Sequence, residues 1–198
     1  QSDIIKDLKM KVQNFTDQYD SSENEVDVSS TFQFYLGNND LDLDFNFNFL
    51  SGNFEQEFNN TDNGIKYGFL NTSIQPSMQF EFNSIILDVG LKGVYLNNTE
   101  LSENEFFVYP KINATYKFTE ELMIYTGVDG DLNSNSYRSI VEQNPFVSPT
   151  LFIQPTDNTF TGFAGVNGKV GSLSYNFKAF YQQENNYAFF VENPAVSN

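Results

Sequence analysis

The sequence predicts an all-β protein, an antiparallel up-and-down transmembrane β-barrel, with this chain a portion of a larger barrel. Three observations predict it. Apolar and polar residues alternate over stretches of about ten residues or more, whereas soluble strands usually run about 5–6 and a tilted membrane strand needs about 9–11. Tight turns at 37–39, 83–84, 119–121 and 167–172 interleave with long polar loops at 51–63, 97–105, 132–158 and from 184 onward. Outer-membrane barrels pair short turns at one end with longer loops at the other. Finally, the polar faces carry mostly Asn, Ser, Thr, Gln and Gly, not the abundant Lys and Glu of a soluble sheet's wet face.

The elements follow in order. Residues 1–25 read either as a strand, from Leu8, Met10 and Val12, or as a helix face of Ile4, Ile5, Leu8, Val12 and Phe15, followed by an external loop. The barrel strands occupy 26–198. Val26, Val28, Phe32, Phe34 and Leu36 share a parity and end at Gly37-Asn38-Asn39, a tight-turn signal. The run "DLDLDFNFNFL" then puts Leu41, Leu43, Phe45, Phe47 and Phe49 on one face and Asp42, Asp44, Asn46 and Asn48 on the other. Leu70, Ile74, Met78, Phe80 and Phe82 oppose Asn71, Gln75 and Glu81 in the next strand. Leu87, Val89, Leu91 and Tyr95 oppose Asp88 and Lys92; Val108, Ile112 and Tyr116 oppose Lys111, Asn113 and Lys117. A weaker strand holds Leu122, Ile124, Thr126 and Val128, and an irregular stretch with Pro145, Pro149 and Pro155 follows. Phe160 to Val166 and Leu173 to Tyr181 form the last pair, with Tyr175 and Phe177 opposite Asn176 and Lys178. Pro76 and Pro110 each remove a ladder donor, which counts against a strand in either architecture and is tolerable at a bulge.

This parity assigns two surfaces. Lipid is expected at Leu41, Leu43, Phe45, Phe47, Phe49, Ile74, Met78, Phe80, Phe82, Leu87, Val89, Leu91, Ile112, Tyr116, Tyr175 and Phe177. A lumen is expected at Asp42, Asp44, Asn46, Asn48, Glu81, Asp88, Lys92, Lys111, Asn113, Lys117, Asn176 and Lys178, where the lysines could neutralise Asp42, Asp44, Glu81 and Asp88. Tyr35, Tyr95, Tyr116 and Tyr125 lie near strand ends, as an interfacial girdle or as strand-end packing. A soluble secreted β-sandwich adhesin is the competing architecture. It would turn the aromatics onto a core.

Composition removes several function classes. The net charge of -16 argues against nucleic acid as a partner. Cysteine and histidine are both absent, so thiol chemistry, disulfides, histidine triads and histidine metal sites are out. No nucleophile–base constellation or phosphate loop appears, so no enzyme, metal or cofactor is expected. "DGDLNSN", with Asp129, Asp131, Asn133 and Asn135 at alternate positions, begins like a calcium loop. It has Ser134 where glycine and Ile140 where glutamate should stand, and a solvated loop opening is the simpler reading. The same-face pair Asp42 and Asp44 reads as wall, not as a catalytic pair. Asn97-Asn98-Thr99 and Asn113-Ala114-Thr115 match glycosylation patterns that an Asn-rich chain produces by chance. The opening "QSDIIKDLKMKVQ" lacks a signal-peptide core, as in a mature form or a segment.

Three stretches together carry a resemblance: "YDSSENEV" (19–26), "FFVYPKINATYKFTEELMIYTGVDGDLNSNSYRSIVEQNPFVSPTLFIQPTDN" (106–158) and "FTGFAGVNGKVGSLSYNFKAFY" (160–181). They resemble flavobacterial (Bacteroidota) outer-membrane barrel proteins labelled TonB-dependent receptor-like, over most of residues 19–190. The resemblance implies the outer membrane of a Gram-negative bacterium, with lipid and lipopolysaccharide as surroundings and other outer-membrane proteins or lipoproteins as partners. No plug domain is visible, so energised import does not carry over. The expected role is an accessory or scaffold subunit of an envelope complex. The alternative is porin-like or receptor-like transport of a small solute.

Overall fold

The computed structural model describes residues 4–37, 39–55 and 64–191. Asn38 of the first tight turn, the polar loop 56–63 with Asn60-Thr61-Asp62, and the tail 192–198 lie outside the described residues.

Nine strands form one antiparallel sheet in chain order, each paired with its sequence neighbours. They are β1 (Ile5–Thr16), β2 (Ser22–Leu36), β3 (Asn39–Phe54), β4 (Ile65–Phe82), β5 (Ile85–Asn98), β6 (Glu103–Lys117), β7 (Leu122–Asn133), β8 (Thr156–Val170) and β9 (Leu173–Asn185), with one short helix, α1 (Tyr137–Gln143), between β7 and β8. The N-terminal segment is therefore a strand. Pairing Met10 with Val28 and Val12 with Val26 satisfies backbone groups that a helix would leave open on the β2 edge. The following loop is shorter than expected, because β2 already begins at Ser22.

The ladders decide which residues share a face. Asp42, Asp44, Asn46 and Asn48 lie with Glu81, Asp88, Lys92, Lys111, Asn113, Lys117, Asn176 and Lys178 on one side. The β7–β8 connection folds across this side, here called the inner face. Leu41, Leu43, Phe45, Phe47, Phe49, Ile74, Met78, Phe80, Phe82, Leu87, Val89, Leu91, Ile112, Tyr116, Tyr175 and Phe177 share the outer face. The buried core contains none of these outer side chains. Ile74 is 50% exposed and Phe177 69%.

The outer apolar band has a sharp margin. Val12, Val26, Phe49, Leu70 and Asn97 form one cross-strand row; the next row toward the long loops reads Asn14, Asn24, Ser51 and Gly68. Amides join along this margin, Asn14 donating to Asn24 at 2.8 Å and Asn97 to Asn104 at 2.6 Å. Toward the tight turns the band runs on to Phe82. From Leu70 to Phe82 it measures about 40 Å along the strand at ~3.4 Å per residue, or about 30 Å at a barrel strand's tilt. Tyr95 donates to Asn104 at the margin and Tyr116 is outward, as a girdle requires. Tyr125 and Tyr35 are corrections, since both face inward: Tyr125 donates to Asn176 at 2.9 Å, and Tyr35 pairs with Asp40 on the inner parity.

Glycines sit where an aromatic ring from the paired strand lies across them. Tyr67 covers its ladder partner Gly52, Tyr125 covers Gly165, and Phe163 covers Gly127. The ring replaces the missing side chain and stiffens the strand. A methyl at Gly165 would collide with the Tyr125 ring and stand 2.7 Å from the Phe177 carbonyl. Gly165→Ala is expected to cost about 1–3 kcal/mol, read as a lower denaturant midpoint in detergent; an unchanged midpoint would refute the ring-over-glycine account.

Candidate functional site

The inner face is divided into two levels. Toward the tight turns it is polar. Lys6 bonds Asp42 at 3.0 Å, Thr31 donates to Asp44 at 2.7 Å, and Gln75 donates to the other Asp44 oxygen at 3.2 Å. Asn46 donates to Asp27 at 3.2 Å and Asn48 to Glu25 at 3.0 Å. Lys111 bonds Asp129 at 3.0 Å and Lys92 bonds Asp131 at 2.5 Å. Lys178 stands 4.2 Å from the Phe163 ring centre. The lysines thus choose partners other than those expected: Asp42 takes Lys6, and Lys92 and Lys111 take the "DGDLNSN" carboxylates. That motif, expected as the opening of a solvated loop, instead continues β7 as far as Asn133, because the ladder with β8 holds Asp131, Leu132 and Asn133. Asn135 donates to the Gln154 carbonyl at 2.7 Å, which closes the base of the β7–β8 connection. Among the described residues Glu81, Asp88 and Lys117 have no ion-pair partner. These half-exposed pairs are each worth about 1 kcal/mol or less. They hold the wall's charge balance more than its stability.

Toward the long loops the same face turns apolar. Leu50 and Phe54 of β3, Tyr67 and Phe69 of β4, Val94 and Leu96 of β5 and Tyr109 of β6 are buried together with Leu132, Tyr137 and Ile153. The last two belong to the connection 134–155, expected as irregular but in fact folded over the sheet. Ser136 caps α1: it accepts from the Ser139 amide at 3.1 Å while the Ser139 hydroxyl reaches back to it. Pro145 follows the C-cap Asn144, where it cannot extend the helix. Ile140, Val141, Val147 and Leu151 pack onto the buried cluster.

Two carboxylates from the far end of the sheet tether this segment. Glu23 of β2, 3% exposed, accepts from the Tyr67 hydroxyl at 2.6 Å, the Tyr137 amide at 2.6 Å and the Arg138 amide at 3.1 Å. It therefore serves the orphan donors of the first helical turn. The Tyr137 hydroxyl donates to Asp17 at 2.7 Å, and its ring meets Phe54 edge-on at a centroid distance of 4.8 Å. Burial alone would raise the Asp17 carboxyl, but hydrogen bonds from Tyr137 and from the Ser21 and Tyr19 amides outweigh it and hold it below the usual aspartate range. Burial, then Asp17, pushes the Tyr137 hydroxyl upward. Sequence reasoning missed Glu23, Asp17 and Tyr137. Their shared signal is the apolar switch of inner-face parity at Leu50, Phe54, Phe69, Val94 and Leu96.

This tether generates two expectations. In Glu23→Gln one ligand atom becomes a donor facing donors, which is expected to weaken docking by about 1.5–3 kcal/mol; trypsin should then cut after Arg138 at least tenfold faster. For Asp17 the sign follows from its lowered folded-state value. Its contribution is complete above the ordinary aspartate range, about pH 4, and is lost as pH falls through the lower folded value. Hydrogen exchange over 136–143, corrected for its intrinsic pH dependence, should stay slow at about pH 5 and accelerate below about pH 4. Asp17→Asn should exchange fast at both.

No family model matches the chain, and no curated protein does. Among solved structures, the unliganded ferric citrate transporter FecA aligns with a TM-score of 0.45 at 11% identity, over 86% of this chain and 30% of that one. The FpvAI–pyocin S2 complex aligns with a TM-score of 0.49 at 16% identity, over 89% of this chain and 28% of that one. The chain thus spans less than a third of the length of these structures.

Proposed function

We propose that this chain is a sector of a transmembrane β-barrel in a Gram-negative outer membrane, and that the barrel passes or binds a polar solute beneath the tethered 134–155 segment. The observation that carries the reading is the outer band: a mostly apolar face, broken by Ser30, Thr72 and Thr126, with no covering layer among the described residues, ending at a row of asparagine, serine and glycine. Such a face in water would be an aggregation surface; against acyl chains it is satisfied. On this reading Leu41, Phe47, Ile74 and their row-mates touch lipid, while Asp42, Asp44, Lys111 and theirs line the lumen. Among the described residues β1 and β9 pair on one side alone. An open edge in hydrocarbon leaves backbone groups unsatisfied, so further strands complete the wall.

Transport is favoured over the scaffold role by the state of the inner wall. Below the tethered segment the wall carries carboxylates, lysines and amides, Asp42 and Lys111 among them, in place of an apolar layer. Such a surface suits a polar solute, whereas the inside of a sealed scaffold is more stable packed with apolar side chains. The segment is held by apolar burial and by hydrogen bonds to Glu23 and Asp17, and on this reading loss of the hydrogen bonds lets it act as a gate.

The chain has no cysteine of its own, so single cysteines report cleanly. In the full-length protein in native membranes, cysteines at Phe47, Ile74 and Leu91 should react with a lipid-soluble maleimide, and cysteines at Asn46 and Gln75 with a membrane-impermeant one. The reverse pattern would refute the membrane assignment. Leu43→Arg should cost about 2–4 kcal/mol, since its ladder partner Pro76 lies midway between Leu70 and Phe82 in the band, measured as loss of heat-modifiable folded protein. In planar bilayers, Glu23→Gln should raise the open probability of ion conductance. Absence of conductance in both forms would return the scaffold reading.

A further inference from the structure

The wall has a seam between β6 and β7. Their ladder runs from Lys117–Met123 to Ile112–Val128 and stops, although β6 continues back to Glu103 and β7 on to Asn133. Two local features end it at the same level. Pro110 lacks the amide that the next pair needs, and the β7–β8 register shifts between Asp129 and Asp131, the extra residue lying in β8. On its other side β6 stays paired with β5 up to Glu103. One edge of Glu103–Tyr109 is thus without a ladder partner among the described residues. Beside it lies a cleft of about 270 Å³ with Phe69, Leu96, Phe107 and Leu132 as an apolar floor. The charged residues lining it are Glu103, Glu105 and Asp157, all acidic.

We propose that this seam is a strand-addition site for an extended peptide in which basic and apolar residues alternate. The free β6 edge supplies main-chain donors and acceptors. Period-two side chains would turn one set inward, where lysine stems cross the apolar floor and their ammonium groups meet Glu103 and Glu105, and the other, apolar set outward beside Phe106 and Val108. Phe106 and Val108 of the same stretch point outward, and Phe106 shares the row of Tyr95 inside the outer band. If that band meets lipid, as proposed above, water does not reach the lower part of the free edge and a paired strand is its remaining partner.

The test uses the full-length protein in detergent and a labelled ten-residue peptide of alternating Lys and Val, followed by fluorescence anisotropy. Two further peptides carry N-methyl groups on the odd or on the even backbone nitrogens, keeping charge and side chains. Saturable binding of the parent is expected, with at least tenfold loss for one methylated peptide; loss for both places the strand between β6 and β7, paired on each side. Glu103→Gln with Glu105→Gln should weaken binding several-fold. Pro110→Val, which lets the ladder advance, should weaken it as well. Equal binding of all three peptides would mean mere adhesion to an acidic face and overturns the proposal. So does no binding, or binding indifferent to both sets of substitutions. Partition of the same preparation between detergent-rich and aqueous phases reads the membrane assignment separately.

Discussion

One constraint governs the molecule: a single antiparallel register held across eight consecutive strand pairings. Side chains alternate with a period of two, so a slip by one residue in any ladder would exchange the faces of every strand beyond it. Phe47 lies beside Val28 on one side and Thr72 on the other, and that row continues through Tyr95 to Phe106. Such rows make the outer band continuous. The same registration brings Lys92 to Asp131 and Lys111 to Asp129 on the opposite face. Hydrophobicity specifies this register more than the ion pairs do, since each half-exposed pair is worth little, whereas turning Phe45 or Phe47 to the wrong side would move a whole aromatic surface.

The strands were legible because the alternation is local and long. Leu41 to Phe49 announces both faces without knowledge of any partner. The first strand was ambiguous, since Leu8 and Val12 satisfy periods of both two and 3.6, and the pairing with β2 decides between them. The tether was illegible for a different reason. Glu23 stands among several acidic residues in "SENEVD", and nothing near it in the chain marks it as the carboxylate that reaches Tyr137. "DGDLNSN" misled in the opposite way, because a spacing of two suits a ligand loop and a strand face equally well.

The change of character along the inner face is what makes a site of it. The same parity that carries Asp42, Asp44, Asn46 and Asn48 goes on to Leu50 and Phe54. A connection with Tyr137, Ile140 and Leu151 therefore finds apolar purchase at one end of the wall and none at the other. Its position is set by burial and its orientation by Glu23 and Asp17. The aromatic contribution is non-directional, while the carboxylates accept from particular amides and one hydroxyl. Losing the second kind of contact would leave the segment held by burial alone, which is the physical basis of the gate proposed above.

The bond from Tyr137 to Glu23 spans 114 residues, in a fold whose ladders otherwise join sequence neighbours. Hairpins can assemble one after another with little loop-closure entropy, but this contact cannot form until every strand from the second to the seventh has aligned. Were one of them shifted by a single position, Glu23 would turn away and the helix would find no acceptor. The latch thus acts as a checkpoint on assembly, closing only over a wall that has been built correctly.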